Sequence, residues 1–132
     1  MSEKKMSGTM PSGDEMAASL LKDTADLIND DRNTHGDAVV NQEHIAAGWT
    51  WFLRGQGVLD PDEHLRGTDV AFMMGLVKMS RYCVGTFDVD HLRDTAGYAA
   101  IGGACAVENG DASIDELSRG AYEDAHLGGR DE

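Results

Sequence analysis

Lys78 and Arg81 stand three residues apart, and Asp90 and Asp94 stand four apart, in neighbouring stretches that both read as helix. Side chains at these separations share one face of a helix, so each pair points one way. Tyr98 continues the line of Asp90 and Asp94 and adds a phenol able to donate. A short connection makes successive helices antiparallel neighbours, which lays the end of the first beside the start of the second and lets the five side chains converge. The chemistry open to such a group is Mg²⁺ held by the carboxylates and substrate phosphates held by the cations. The competing account is an ion-pair network with no ligand, and such networks are commoner than active sites.

The element that carries the two cations is the most committed part of the chain. Thr68 to Cys83 (TDVAFMMGLVKMSRYC) is an apolar helix with Met73, Met74, Leu76, Val77 and Met79 at its middle, yet it holds Asp69, Lys78 and Arg81. An unpaired buried charge costs several kcal/mol. These groups therefore require partners, and the nearest carboxylates following in sequence are Asp90 and Asp94. A simpler account of the cations also stands, in which they complement the helix dipole while their stems run out to water.

Chemistry is sparser elsewhere. Glu43 and His44 are adjacent and so point about 100° apart on a helix; Glu43 alone can face inward as a ligand, and His44 reads as a hydrogen-bonded, half-buried histidine. Asp30 to Asp37 gathers an Arg, a His and several carboxyls, for which turn chemistry is the plain reading. No Gly-x-Ser-x-Gly occurs, and neither cysteine has an obvious histidine partner. The histidines lack zinc spacing, and Gly102-Gly103 falls within a helix rather than after a strand.

Positioning these groups requires a bundle, because apolar residues recur at helical spacing throughout and predict an all-α fold of four to five helices. Residues 1–11 are small, polar and mixed in charge and are expected to be disordered. Ser12 to Glu15 forms a capping box that opens a helix over about Asp14 to Asn29, with Met16, Leu20, Leu21, Thr24, Leu27 and Ile28 inward. A polar connection then ends in Asp37 as the next N-cap. The second helix, about Ala38 to Arg54, has Val40, His44, Ala47 and Trp51 on one line; it is apolar over more than half its circumference, which suggests burial between neighbours or in a subunit interface. In the connector from Val58 to Gly67, Pro61 is placed to open a single helical turn. Thr68 caps the third helix and Gly85 ends it. The fourth, about Asp88 to Val107, is expected to pack through Val89, Leu92, Ala96, Ala99, Ala100, Ile101 and Ala104. Gly97, Gly102 and Gly103 each cost it roughly 1 kcal/mol relative to alanine, which the close approach of another backbone explains. A second capping box at Ser113 to Glu116 opens a last helix to about Ala125. The bundle domain thus covers 12–107, followed by a loop and short helix at 108–125 and a loose tail at 126–132.

The 132 residues suit one domain. Sixteen Asp and eight Glu against four Lys and seven Arg leave a formal net charge of −13, which argues against non-specific binding to a nucleic-acid backbone. Such a balance suits a salt-adapted proteome or a GC-rich phage genome, and equally a plain soluble surface. No apolar run approaches the length of a membrane span and the N-terminus lacks a signal-peptide centre, so a soluble cytoplasmic protein without membrane partners is expected. In that compartment Cys83 and Cys105 read as buried, reduced cysteines.

Ordered blocks of the chain resemble a small phage-encoded domain of unknown function. They are Arg32, His35-Gly36-Asp37, Asn41, Ile45-Ala46 and Trp49; then Asp69-Val70-Ala71, Met74, Lys78 and Arg81; then Asp94-Thr95-Ala96-Gly97-Tyr98-Ala99-Ala100. The resemblance covers about Leu20 to Gly103. That domain is similar in turn to the all-α MazG-like and dimeric dUTPase-like nucleoside-triphosphate pyrophosphohydrolases. The resemblance implies a MazG-like bundle completed by oligomerisation to a dimer or tetramer, with Mg²⁺ on helix carboxylates and water attacking between the α- and β-phosphates. It implies Glu43 and Asp94 as catalytic and metal-holding residues, with Asp90 as a compensating ligand. Arg32, His35, Asn41, Trp49, Lys78, Arg81 and Tyr98 would surround a nucleotide or other phosphorylated small molecule. The chain departs from the enzymes in one respect: their E-x-x-E and E-x-x-D pairs are missing, with Ala46 and Ala47 after Glu43 and His91 three residues before Asp94. Fewer carboxylates mean weaker metal binding. The expectation is a phage or viral accessory protein that handles nucleotides, acting in the host cytoplasm if phage-encoded, either as a Mg-dependent pyrophosphohydrolase or as a degenerate relative. The alternatives are a sponge-like nucleotide-binding protein without turnover and a small oligomeric structural or interaction protein.

Overall fold

The first helix is set by its cap. Ser12 Oγ accepts from the Glu15 amide at 3.1 Å and Glu15 Oε1 accepts from the Ser12 amide at 3.0 Å, satisfying two amides that no helical carbonyl can reach. The computed structural model describes residues 8–117, and for residues 31–35 the backbone alone. It consists of α1 (Gly13–His35), α2 (Ala38–Gly55), α3 (Gly67–Val84), α4 (Val89–Glu108) and the short α5 (Ile114–Leu117). There is no strand among the described residues, so the fold is the all-α bundle expected. The N-terminal segment as far as residue 7, the continuation of α5 to Ala125 and the tail 126–132 lie outside the described residues.

Several boundaries differ from the sequence expectation, each for a local reason. α1 runs on through Asp30 to His35, where composition suggests a connection. Asp and Asn lower helix propensity by only tenths of a kcal/mol, and nothing stronger interrupts the chain before Gly36, whose φ of 79° ends the helix. Asp37 then caps α2 as expected, its Oδ1 accepting from the amides of Val39 (2.9 Å) and Val40 (3.1 Å). The connector makes a turn rather than a helical turn at Pro61, closed by the Glu63 amide donating to the Asp60 carbonyl at 3.0 Å. It is tied back to α2 by the Arg54 guanidinium on the Glu63 carbonyl and by the Leu65 amide donating to Thr50 Oγ1 at 2.8 Å. α3 is capped at Arg66, not Thr68, because Asp69 Oδ2 accepts the Arg66 amide at 2.9 Å.

α4 packs on α1, α2, α3 and α5, and its contact with α3 is the most extensive in the bundle. Small residues make that approach possible. A Cβ on Gly102 would sit 3.4 Å from the Ala71 Cβ, and one on Gly97 would sit 3.6 Å from Thr24 Cγ2. The buried face of α4 is therefore Gly97, Gly102 and Cys105. Of the expected packing surface, Ala96, Ile101 and Ala104 are half-buried, while Val89, Leu92, Ala99 and Ala100 are exposed. On α1 Thr24 is buried and Leu20 and Ile28 are half-buried, as expected, while Met16, Leu21 and Leu27 are exposed. Fully buried apolar residues among those described are only Ala46, Val70, Ala71 and Cys105. Cys83 is exposed rather than buried, and both thiols are free. No helix among the described residues is long and apolar enough to cross a membrane.

Glycine substitution separates close approach from simple helix propensity. A Cβ on Gly67 would strike Glu43 Oε1 and come within 2.9 Å of Cys105 Sγ, whereas one on Gly48 meets nothing within 4 Å. Gly67→Ala is expected to lower stability by about 1–3 kcal/mol through overpacking, and Gly48→Ala to raise it by about 1 kcal/mol, both read from urea midpoints. Burial, and next the Glu43 carboxylate, push the Cys105 thiol from its ordinary 9.0 up to about 11. The folded chain thus holds this proton more tightly than the unfolded one, so the contribution is whole below pH 9 and lost as the pH climbs towards 11. Urea midpoints across that window should fall more steeply for the wild type than for Cys105→Ala.

Candidate functional site

α1 packs on α4, and α2 packs on α3 and α4, but among the described residues α1 and α2 make no comparable contact with each other. The gap they leave is a cleft of about 600 Å³. Leu27 and Ile28 of α1, Ala38 of α2 and Ile101 of α4 give it an apolar lining, and Gly36 lies at the turn between α1 and α2. Its polar groups are Asn41 and Gln42 from the first turns of α2 and Asp90, Arg93, Asp94 and Tyr98 from α4. The volume lies within the range of small-molecule sites, which combine an apolar lining with a few placed polar groups.

Charges at this cleft are paired. Arg93 donates through Nη1 to Asp90 Oδ1 at 2.8 Å, and its Nη2 lies 3.8 Å from Asp23 Oδ2 of α1. Lys78 reaches across from α3 to Asp94 Oδ2 at 3.0 Å. Of the five side chains that the spacing brings together, this pair alone meets across α3 and α4 among the described residues; Asp90 is taken by Arg93 instead. Gln42 is only 7 % exposed, and its Oε1 is buried without a hydrogen-bond partner. Buried polar atoms are nearly always satisfied, by protein or by ordered water.

The other expected site residues are distributed differently. Glu43 is not part of the cleft lining; its Oε1 accepts from the Gly67 amide at 2.6 Å and from Asn109 Nδ2 at 3.1 Å. This carboxylate thus satisfies the open N-terminus of α3, where amides lack helical partners and the dipole favours negative charge. Arg81 is exposed and forms no ion pair among the described residues. Trp49 is half-buried on α2 away from the cleft lining, His44 is exposed, and the side chains of Arg32 and His35 lie outside the described residues. The backbone of α1 nevertheless ends at His35, next to the cleft residue Gly36.

The three acids assigned to Mg²⁺ are each held by a different partner. Among the described residues no three His, Cys, Asp or Glu side chains gather into a group able to hold a metal. Asp94 is engaged by Lys78, Asp90 by Arg93, and Glu43 by the start of α3. Mg²⁺ demands near-octahedral oxygen coordination and yields its waters reluctantly, so separately neutralised carboxylates serve it poorly. Two cleft residues escape a reading built on charge spacing. Arg93 had a visible signal, standing three residues after Asp90 on one face. Gln42 had none, since a single amide on an apolar helix becomes notable only once its burial is known.

Residues 19–106, which include every cleft residue named above, match the family model described as a domain of unknown function, DUF6378. The Gene 55 protein of Mycobacterium phage L5 is 34% identical over 84 residues, covering 63% of this chain and 49% of that protein, so the chain spans about half the length of this curated relative. Neither description names a ligand or a reaction, and no solved structure matches. Since the family model extends from within α1 to near the end of α4, the chain belongs to the DUF6378 family.

Proposed function

We propose that this domain is a phage accessory module that binds a nucleotide in the cleft between α1, α2 and α4 and does not hydrolyse it. The observation that carries the reading is a cleft of small-molecule size whose lining joins apolar side chains and Tyr98 to the cation Arg93 and the amide of Gln42. An apolar lining with Tyr98 suits a planar ring, and a carboxamide such as that of Gln42 can pair with a base edge. Arg93 meets its second carboxylate, Asp23, only at 3.8 Å, and a guanidinium takes a phosphate through the same two-pronged geometry as a carboxylate. The similarity to a phage protein supports the setting. The resemblance to pyrophosphohydrolases supports the ligand class, while the dispersal of Glu43, Asp90 and Asp94 among three separate partners supports binding over turnover.

The test is a nucleotide panel, with and without Mg²⁺, read by thermal shift and by pyrophosphate release. Ligand at a hundred times Kd adds about 2.7 kcal/mol to the folded state, on the order of 10 °C in Tm for a domain of this size. The expected result is such a shift for at least one nucleotide, independent of Mg²⁺ and without product. Arg93→Ala and Gln42→Leu should weaken it tenfold or more, about 1.4 kcal/mol each, and Arg81→Ala should leave it unchanged. Pyrophosphate release abolished by Asp94→Asn would establish an enzyme instead, and a panel without any shift would remove the nucleotide reading.

A further inference from the structure

The apolar side chains left outside the core follow a pattern. α3 carries apolar residues beyond its buried face: Val70, Ala71 and Gly75 are buried, while Phe72, Leu76, Met79 and Cys83 are exposed. The outer four are spaced by four, three and four residues, the period of a coiled-coil seam, and they fall within about 60° of one another around the helix axis. Phe72 is 72% exposed, and Leu76 and Met79 are each 52% exposed. A helix that is apolar all round is normally covered all round.

Charge marks out the same surface. Between Asp69 and Asp88 the chain has no acidic residue, although it holds 24 Asp and Glu in all. A second long acid-free run, between Glu43 and Asp60, covers most of α2 and includes Trp51, 77% exposed. Two molecules of charge −13 repel, and an acid-free face is where they meet at least electrostatic cost.

We propose that the outer face of α3 pairs with a second copy of this chain across a two-fold axis. The occupant follows from three observations. The fully buried core of the described residues is four small or medium side chains, so covering this face is part of keeping the chain folded, and a second copy is present wherever the chain is made. A seam of regular heptad spacing turned about a two-fold axis meets its own complement. A stable interface needs on the order of 800 Å² per partner, and one aromatic side chain covers about 150–250 Å². Phe72 and its seam, flanked by Met73 and by Tyr82, which stacks edge-on against Phe87 at 5.6 Å, supply apolar area of that scale.

Light scattering and sedimentation of the full chain over a wide dilution series test this. The wild type should be a dimer that dissociates on dilution. Leu76→Glu should weaken association roughly thirtyfold or more, the effect of losing a central anchor, while Val58→Glu, on the connector, should leave it unaltered. A wild type that is monomeric at every concentration, or a Leu76→Glu dimer as tight as wild type, overturns the proposal. If Leu76→Glu does not fold, alkylation of Cys83 in the wild type decides: slower reaction at high than at low concentration supports the pairing, and one rate throughout overturns it.

Discussion

How closely α3 can lie against α4 governs the rest of this molecule. At the contact, Ala71 faces Gly102, and Gly67 faces both the Cys105 thiol and the Glu43 carboxylate, so two backbones meet with almost no side chain between them. Dispersion and exclusion of water then act over a long, tight contact, while few large apolar groups are buried. The start of α3 is fastened by the same economy, since Glu43 accepts the Gly67 amide where a side chain would otherwise intrude. Glycines that weaken α4 as an isolated helix are what permit it to form inside the bundle.

The candidate site follows from that arrangement. Because α4 serves as the common support and α1 leans on it through Thr24 and Gly97, α1 and α2 are held apart and a cleft opens between them. Beside Tyr98 and Ile101, α4 turns three charged side chains toward this opening, and each finds an opposite charge on a different helix or one turn away. Ion pairs of this kind add little stability when partly exposed, but they leave cations that can exchange a carboxylate for another anion. The large apolar residues displaced from the tight contact come to lie on the outside of α2 and α3.

Much of this was legible in the residues. Caps at Ser12, Asp37 and Ser113 mark helix starts, because the capping residue and the amide it serves lie within three positions of each other, whereas the cap of α3 falls at Arg66 rather than Thr68. The all-α class, four long helices, and the pairing of Lys78 with Asp94 follow from periodicity and short connections. The phage-domain resemblance, carried by ordered blocks from Arg32 to Ala100, agrees with the family match over residues 19–106.

What the sequence by itself determined is therefore local: where most helices begin, which side chains share a face, and that Lys78 of α3 meets Asp94 of α4. Only the tertiary structure decided which face of α4 is inside, that Glu43 holds the start of α3 rather than joining Asp94, and that Gln42 is buried beside a cleft. Both faces of α4 are apolar or small enough to pack, and hydrophobicity alone favours the bulkier one. The choice rests on how near two helices can come, which is a property of paired surfaces and is written in neither strand of residues alone.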